Sequence, residues 1–294
     1  MSDLRDWKCY NEALVKRGLI FIDLDFVANW QRELTAMNSG KEGGRYRYPE
    51  SFIKLLAVVH AYVLPYRQLE GFMRGLSQHV DGLKAPDYTT IWWRIARMKV
   101  ELASSVDVGK DVTIAVDSSG IKVSNRGEWM HKKWKVKRGF IKVHIAVDVK
   151  SKQILAIEVT KEDVGDGRVF GRLVRSSANV ADLRRVIGDG AYDSKANFHF
   201  AAGMNVEPLI RVRRNSSGKA DGCMARRFAV LEQLGNSGWR KERGYGYRWM
   251  VESAFSCLKR TFGEYICAVK WPNIVKELLL KASIYNLFMK MNLN

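Results

Sequence analysis

The stretch DVTIAVDSSG, residues 111–120, decides how the chain folds. It is a β-rich run that reaches an acid, Asp117, just as the apolar residues give out into Ser-Ser-Gly. Two further β-rich runs follow, FIKVHIAVDV (140–149) and QILAIEVT (153–160), with Lys150-Ser151-Lys152 between them as a hairpin turn. Beyond these the pattern alternates. DGRVFGRLVRSSANV (166–180) reads as helix, RRVIGDG (184–190) as strand, DSKANFHFAAG (193–203) as helix capped by Asp193, and VEPLIRVR (206–213) as strand. Polar, Gly-containing sequence runs on to about 240. A helix through 245–264 and an apolar one, NIVKELLLKASIYNLFMKMN (273–292), complete the chain. A hairpin followed by strand–helix alternation predicts an α/β fold with a mixed five-stranded sheet flanked by helices.

Upstream of residue 110 the texture is helical. FIDLDFVANWQRELTAMN (21–38) has helix periodicity, and a Gly- and Lys-rich loop, SGKEGGRYR, follows at 39–47. YPESFIKLLAVVHAYVL (48–64) begins with Pro49 in its first turn and stops at Pro65, and YRQLEGFMRGL (66–76) is amphipathic. PDYTTIWWRIARMKVEL (86–102) carries an Asp/Thr cap signal and the cations Arg94, Arg97 and Lys99. Short helices before a basic one fit a helix-turn-helix-like region, with Arg94 and Arg97 as DNA contacts; three helices packed for stability alone give the same pattern. The expected organisation is a helical region over 1–105 and an α/β domain over 106–294.

Composition narrows the partners. The 294 residues contain 49 Lys+Arg against 31 Asp+Glu, a net charge of +18 with pI near 9.8. Hydrophobic content of 47% with nine tryptophans predicts a filled core. An excess of this size implies a polyanion, nucleic acid first and an anionic membrane surface second. No apolar run reaches 18 residues, and the first residues carry acids without an apolar stretch, so neither a membrane span nor a signal peptide is expected. Cys9, Cys223, Cys257 and Cys267 have no C-x-x-C spacing, which argues against zinc and disulfides and for a reducing cytoplasm.

Asp117 and Asp189 each stand at the exit of an apolar strand, where ligands collect in open α/β sheets. Either alone reads as a turn-former. With Glu252 they supply three hard oxygen donors, the ligand type that magnesium and manganese prefer. Glu252 lies in YGYRWMVESAFSCLKRTFGE (245–264), where helical spacing puts Tyr245, Arg248, Glu252 and Lys259 on one narrow stripe. Val251, Phe255, Leu258 and Phe262 fall on the neighbouring stripe as a core face. The plain reading of the charged stripe is a solvated face with an Arg248–Glu252 pair. The functional reading adds phosphate clamps, Arg248 and Lys259, to a metal ligand, with Tyr245 fixing a phosphate or stacking on a base. Two metal ions about 3.5–4 Å apart can activate a hydroxyl and stabilise a departing oxygen in phosphodiester displacement.

Other residues weigh less. EWMHKKWKVKRG (128–139) either grips DNA through Lys132, Lys133, Trp134 and Lys135 or is a solvated loop anchored by Trp129 and Trp134. RVRRNSSGKADGCMARR (211–227) offers nonspecific phosphate contact. His144 reads as structural, Asp148 as a hairpin-turn residue, and Asp163 and Asp166 as loop and helix-cap residues. Ser118 and Ser119 lack the His–acid pattern of a serine nucleophile.

VDSSG at Asp117, GDGAYDS at Asp189 and the pattern Y-x2-R-x3-E-x6-K at Tyr245, Arg248, Glu252 and Lys259 together resemble the prokaryotic insertion-sequence transposases of the DDE superfamily, those grouped as insertion sequence five. The resemblance spans about residues 45–292, and PDYTTIWWR resembles the end of that family's N-terminal DNA-binding region. It implies an RNase H-like catalytic fold that cleaves DNA at terminal inverted repeats and transfers strands into a target. The chemistry would use divalent Mg2+ or Mn2+, two ions per site, without a covalent protein–DNA intermediate. Asp117, Asp189 and Glu252 would be the metal-binding triad, while Tyr245, Arg248 and Lys259 would handle DNA near the cut. The interval between Asp189 and Glu252 leaves little room for an inserted domain. A dimer or larger assembly on DNA, and a prokaryotic cytoplasm with the nucleoid as its station, are also implied. A structure-selective nuclease of the same fold and an inactive, transposase-derived DNA-binding protein are the alternative readings.

Overall fold

In the computed structural model, which describes residues 6–19, 25–62, 64–123, 140–216 and 222–291, the chain divides into two compact units, Met1–Val100 and Glu101–Leu293. The basic loop expected at 128–139, with Lys132, Lys133, Trp134 and Lys135, lies outside the described residues, as do 21–24 of the first expected helix and 217–221 of the second basic run.

The first unit contains helices α1 (Trp7–Leu19), α2 (Asp25–Asn38), α3 (Glu50–Tyr62), α4 (Tyr66–Leu76) and α5 (Tyr88–Arg97). Phe52, Ile53 and Leu56 of α3, Leu69 of α4 and Ile91 of α5 are fully buried and knit these three helices together. Each such side chain contributes roughly 1.5–3 kcal/mol by leaving water. Asp87 caps α5 as its sequence predicts, accepting hydrogen bonds from the backbone N–H groups of Thr89 (3.0 Å) and Thr90 (2.9 Å). The link from α4 to α5 runs over residues 77–87, longer than the three- to four-residue turn of a helix-turn-helix.

The second unit is built on a sheet of β1 (Val112–Val123), β2 (Phe140–Asp148), β3 (Ile154–Lys161), β4 (Leu183–Gly188), β5 (Glu207–Ile210) and a two-residue β6 (Tyr265–Ile266). Its order is β3-β2-β1-β4-β5, with β1, β2 and β3 antiparallel and β1, β4 and β5 parallel. That is the mixed RNase H-like sheet expected from the sequence, with β6 added in parallel to the far end of β1. Helices α6 (Phe170–Ala178), α7 (Lys195–Gly203), α8 (Met224–Gly235), α9 (Trp249–Phe262) and α10 (Trp271–Met291) flank it. Within the polar, Gly-containing stretch that runs to about 240, residues Met224–Gly235 form α8, which is not among the helices expected from the sequence.

β1 also differs from expectation. Ser118, Ser119 and Gly120 do not leave the sheet; they continue it, paired with His144, Val143 and Lys142 of β2. A paired neighbour outweighs the low strand propensity of Ser and Gly. Asp117 therefore sits within the strand, not at its end. Strand alternation then fixes two faces. Val112, Ile114 and Val116 join Phe170, Leu173 and Phe198 in the core on the α6 and α7 side, whereas Asp117 projects to the side of α9. On the outer strand β3, Asn286 of α10 closes the exposed main chain by accepting from Ile154 N–H (2.7 Å) and donating to its carbonyl (2.8 Å).

Candidate active site

Three elements bring the acids together. Asp117 comes from the middle of β1. Asp189 follows β4 directly, and its Oδ1 accepts from Ala191 N–H (2.9 Å), capping a short turn at Gly190–Tyr192. Glu252 stands in the first turn of α9, whose neighbouring side buries Val251, Ala254, Phe255 and Phe262. Gly188 packs closely, with an ordinary backbone angle: a Cβ there would crowd the Tyr192 ring at 3.1 Å.

Arg248 joins two of the acids. Its guanidinium donates to Asp117 Oδ2 at 3.3 Å and forms a close ion pair with Glu252. Burial pushes the Asp117 carboxyl above the ordinary carboxylate range; Asp189 and Glu252 push the same way, and Ser118 N–H and Arg248 only partly restrain it. Asp117, Ser118, Ser119, Glu252 and Lys259 line one cavity, and Asp189, Tyr245 and Arg248 line another. Among the described residues, no three acids, histidines or cysteines close on a single point at ligand distance. Arg248 stands between Asp117 and Glu252, and Asp189 shares the second cavity with it.

The donor set nevertheless fits a hard divalent cation. Three carboxylates stand within each other's fields, one is half-desolvated and unfavourably charged, and the groups that offset them are a backbone N–H and a guanidinium that a metal ion can displace.

Two expected DNA contacts are corrected. Tyr245 is buried, and with Arg248 it belongs to a short turn, Tyr245–Arg248, that precedes α9. Its hydroxyl donates to the carbonyl of Gly188 at 3.3 Å, so it braces the turn that carries Asp189. The helical-wheel stripe failed here because α9 begins only at Trp249. Arg94 is 7% exposed and committed to the first unit: it donates to Tyr48 O and Glu50 Oε2, both at 2.9 Å, and lies over the Tyr46 ring. Arg97 is exposed and lies 4.0 Å over the ring of Trp93. Lys259 is half-buried on the wall of the Asp117 cavity.

Several residues do more than their sequence implied. Asp166 accepts from Ser118 Oγ (2.8 Å), pairs with Lys142 (3.1 Å) and lies 3.6 Å from His144 Nδ1. Because Ser118 follows Asp117 in an alternating strand, this network anchors the opposite face of β1 directly behind the acid. His144 is fully buried against Thr160 Oγ1 (2.9 Å), and burial lowers its pKa to about 4, so it is neutral near pH 7. Asp148 is the hairpin residue expected, accepting from Lys150 and Ser151 N–H. Asp193, expected to cap a helix, instead pairs with Arg226 and leaves the cap to Ser194. Arg211, Arg213, Arg214 and Arg240 converge on the Asp189 cavity. The sequence signalled the first three only as a diffuse basic run.

A transposase DDE domain model matches residues 109–287, and a second model of the same description matches residues 15–126. The chain belongs to the DDE transposases. The transposase also matches a solved piggyBac transposase synaptic complex with hairpin DNA, at 9% identity and TM-score 0.44 over 94% of this chain and 74% of that one. A Drosophila P element transposase strand transfer complex matches at 9% identity and TM-score 0.35, over 92% and 70% of the two chains. Likeness this slight adds nothing to the family match and the sheet order. No helix among the described residues is long and apolar enough to cross a membrane.

Proposed function

We propose that this transposase binds the terminal inverted repeats of an insertion sequence, cuts DNA there and joins the freed ends to a target, with Asp117, Asp189 and Glu252 as the catalytic triad. The observation that carries this is that Arg248 pairs with Asp117 and Glu252 and shares a cation-lined cavity with Asp189, whose charge also acts on Asp117. Two Mg2+ or Mn2+ ions held by the three carboxylates would supply Lewis-acid activation of the scissile phosphate and of the attacking hydroxyl. The chain's own residues do the rest. Arg248 neutralises the acids until DNA arrives and then turns to a phosphate, a bidentate exchange that suits guanidinium. Lys259 holds the backbone on the Asp117 side, and Arg211, Arg213, Arg214 and Arg240 hold it on the Asp189 side. Tyr245 and the Ser118–Asp166 bond keep two of the acids in place from behind. Assembly on DNA as a dimer or larger complex, in a prokaryotic cytoplasm, belongs to the same reading.

The test is incubation of the protein with Mg2+ and a plasmid bearing the element's ends, scoring nicked and joined products. Asp117→Asn, Asp189→Asn and Glu252→Gln should each lose both products while still binding the ends. Full activity in any one of them rejects the triad. Nicking without joining would identify a nuclease instead.

A further inference from the structure

Helix α5 exposes two consecutive tryptophans, Trp92 and Trp93, each 42% open to solvent. Arg97 covers one face of Trp93, whereas Trp92 has no ring or cation partner among the described residues. Both line a groove whose other wall is the loop after α2, and that wall carries Lys41, Arg45 and Arg47. The loop is held in place. Asn38 accepts from Tyr46 N–H (2.7 Å) and donates to Tyr46 O (3.0 Å), and Gly40 and Gly43 take left-handed backbone angles that favour glycine. Tyr46 is packed between Lys41 and Arg94, so its neighbours Arg45 and Arg47 stand out into solvent on a fixed base. Of the acids nearby, Asp87 caps α5 and Glu50 pairs with Arg94. Glu42 is exposed in the loop itself and leaves three cations, Lys41, Arg45 and Arg47, against one free carboxylate.

An open indole beside a fixed excess of cations suits a ligand with both a π-face and negative charge. A duplex hides its base faces, whereas an unpaired nucleotide offers them. We propose that this groove holds an unpaired nucleotide of DNA, its base stacked on Trp92 and its phosphates on Arg45 and Arg47. The proposal rests on the transposase reading for its choice of DNA, and its site is separate from the triad.

The full-length protein is titrated with a short labelled oligo-dT strand and with a labelled duplex carrying the terminal repeat. Trp92→Ala should weaken oligo-dT binding by roughly tenfold, the loss of one stacked base, and leave duplex binding unchanged; Trp92→Phe should keep most of the affinity. Arg45→Ala and Arg47→Ala should each lower the salt slope for oligo-dT by about 0.7. Thermal melts report folding, and if Trp92→Ala melts early, the exposed pair Arg45→Glu and Arg47→Glu must show the same selective loss. Unchanged oligo-dT binding, or equal loss of strand and duplex, overturns the proposal while leaving the transposase reading intact. A change in oligomeric state by light scattering in Trp92→Ala overturns it in favour of a protein partner. Wild-type protein that binds neither DNA defeats the transposase reading itself.

Discussion

Arg94 and Arg248 both read from the sequence as cations suited to DNA, yet the two units use them in opposite ways. Arg94 is buried, and its donors are consumed by a main-chain carbonyl, one carboxylate and an aromatic face. Arg248 stays about a quarter exposed, shared between two acids that themselves face a cavity. A guanidinium bonded to backbone has no substitute and becomes part of the fold. One placed between carboxylates at a cavity mouth can be exchanged for any other cation. The lesson is that partner chemistry, not charge alone, separates a structural arginine from a working one.

That contrast can be broken most sharply at Asp117. Its carboxyl is raised in the folded state, so ionisation costs stability as pH climbs from the unfolded value through the folded one. Asp117→Asn should therefore abolish DNA cleavage while leaving the melting temperature near pH 7 unchanged or higher; a clear drop in stability would contradict a strained, functional acid. Arg94→Ala should do the reverse, costing about 2–3 kcal/mol in denaturant unfolding because Tyr48 O and Glu50 lose their donor, with Glu50 partly relieved by solvent. Arg94→Lys should not restore it.

Smaller effects sharpen the picture. Mg2+ should raise the melting temperature of the wild type by mass action and not that of Asp117→Asn, as scanning calorimetry would show. Tyr245→Phe removes the hydrogen bond to Gly188 and should cost about 1 kcal/mol, with cleavage slowed more than DNA binding is weakened. Smallest is Lys259→Ala, which should flatten the salt dependence of duplex binding by about one unit.

Much of the second unit was legible because its signals are local. Strand runs, the hairpin at Asp148 and the core face of α9 follow from periodicity and turn chemistry, and so does the place of Asp189 at the exit of β4. What could not be read depends on contacts distant in sequence. Ser118–Gly120 are held in strand form by β2, Asp166 reaches Ser118 across 48 positions, and Tyr245 bonds a carbonyl 57 positions earlier. α8 is a different case: Met224, Phe228, Leu231 and Leu234 recur at helical spacing in the sequence, but the polar, Gly-containing residues on either side mask the signal, and in the fold that stripe is exposed. Arg94 escaped because nothing in its own helix announces that Tyr48 and Glu50 will be waiting for it.

The central strand is fastened to β4 only over Val112–Ala115 and to β6 only over Lys122–Val123. Between these two seams no described strand covers that edge, and Asp117 lies inside the gap. A sheet that must hold an acid rigidly would ordinarily bury it under pairing on both sides. Here the clamps at either end keep the strand straight while the middle stays bare, so a bulky polyanion can come alongside without prising the sheet apart. A longer β6 that covered this stretch would add main-chain hydrogen bonds to β1 and should close off the approach to Asp117.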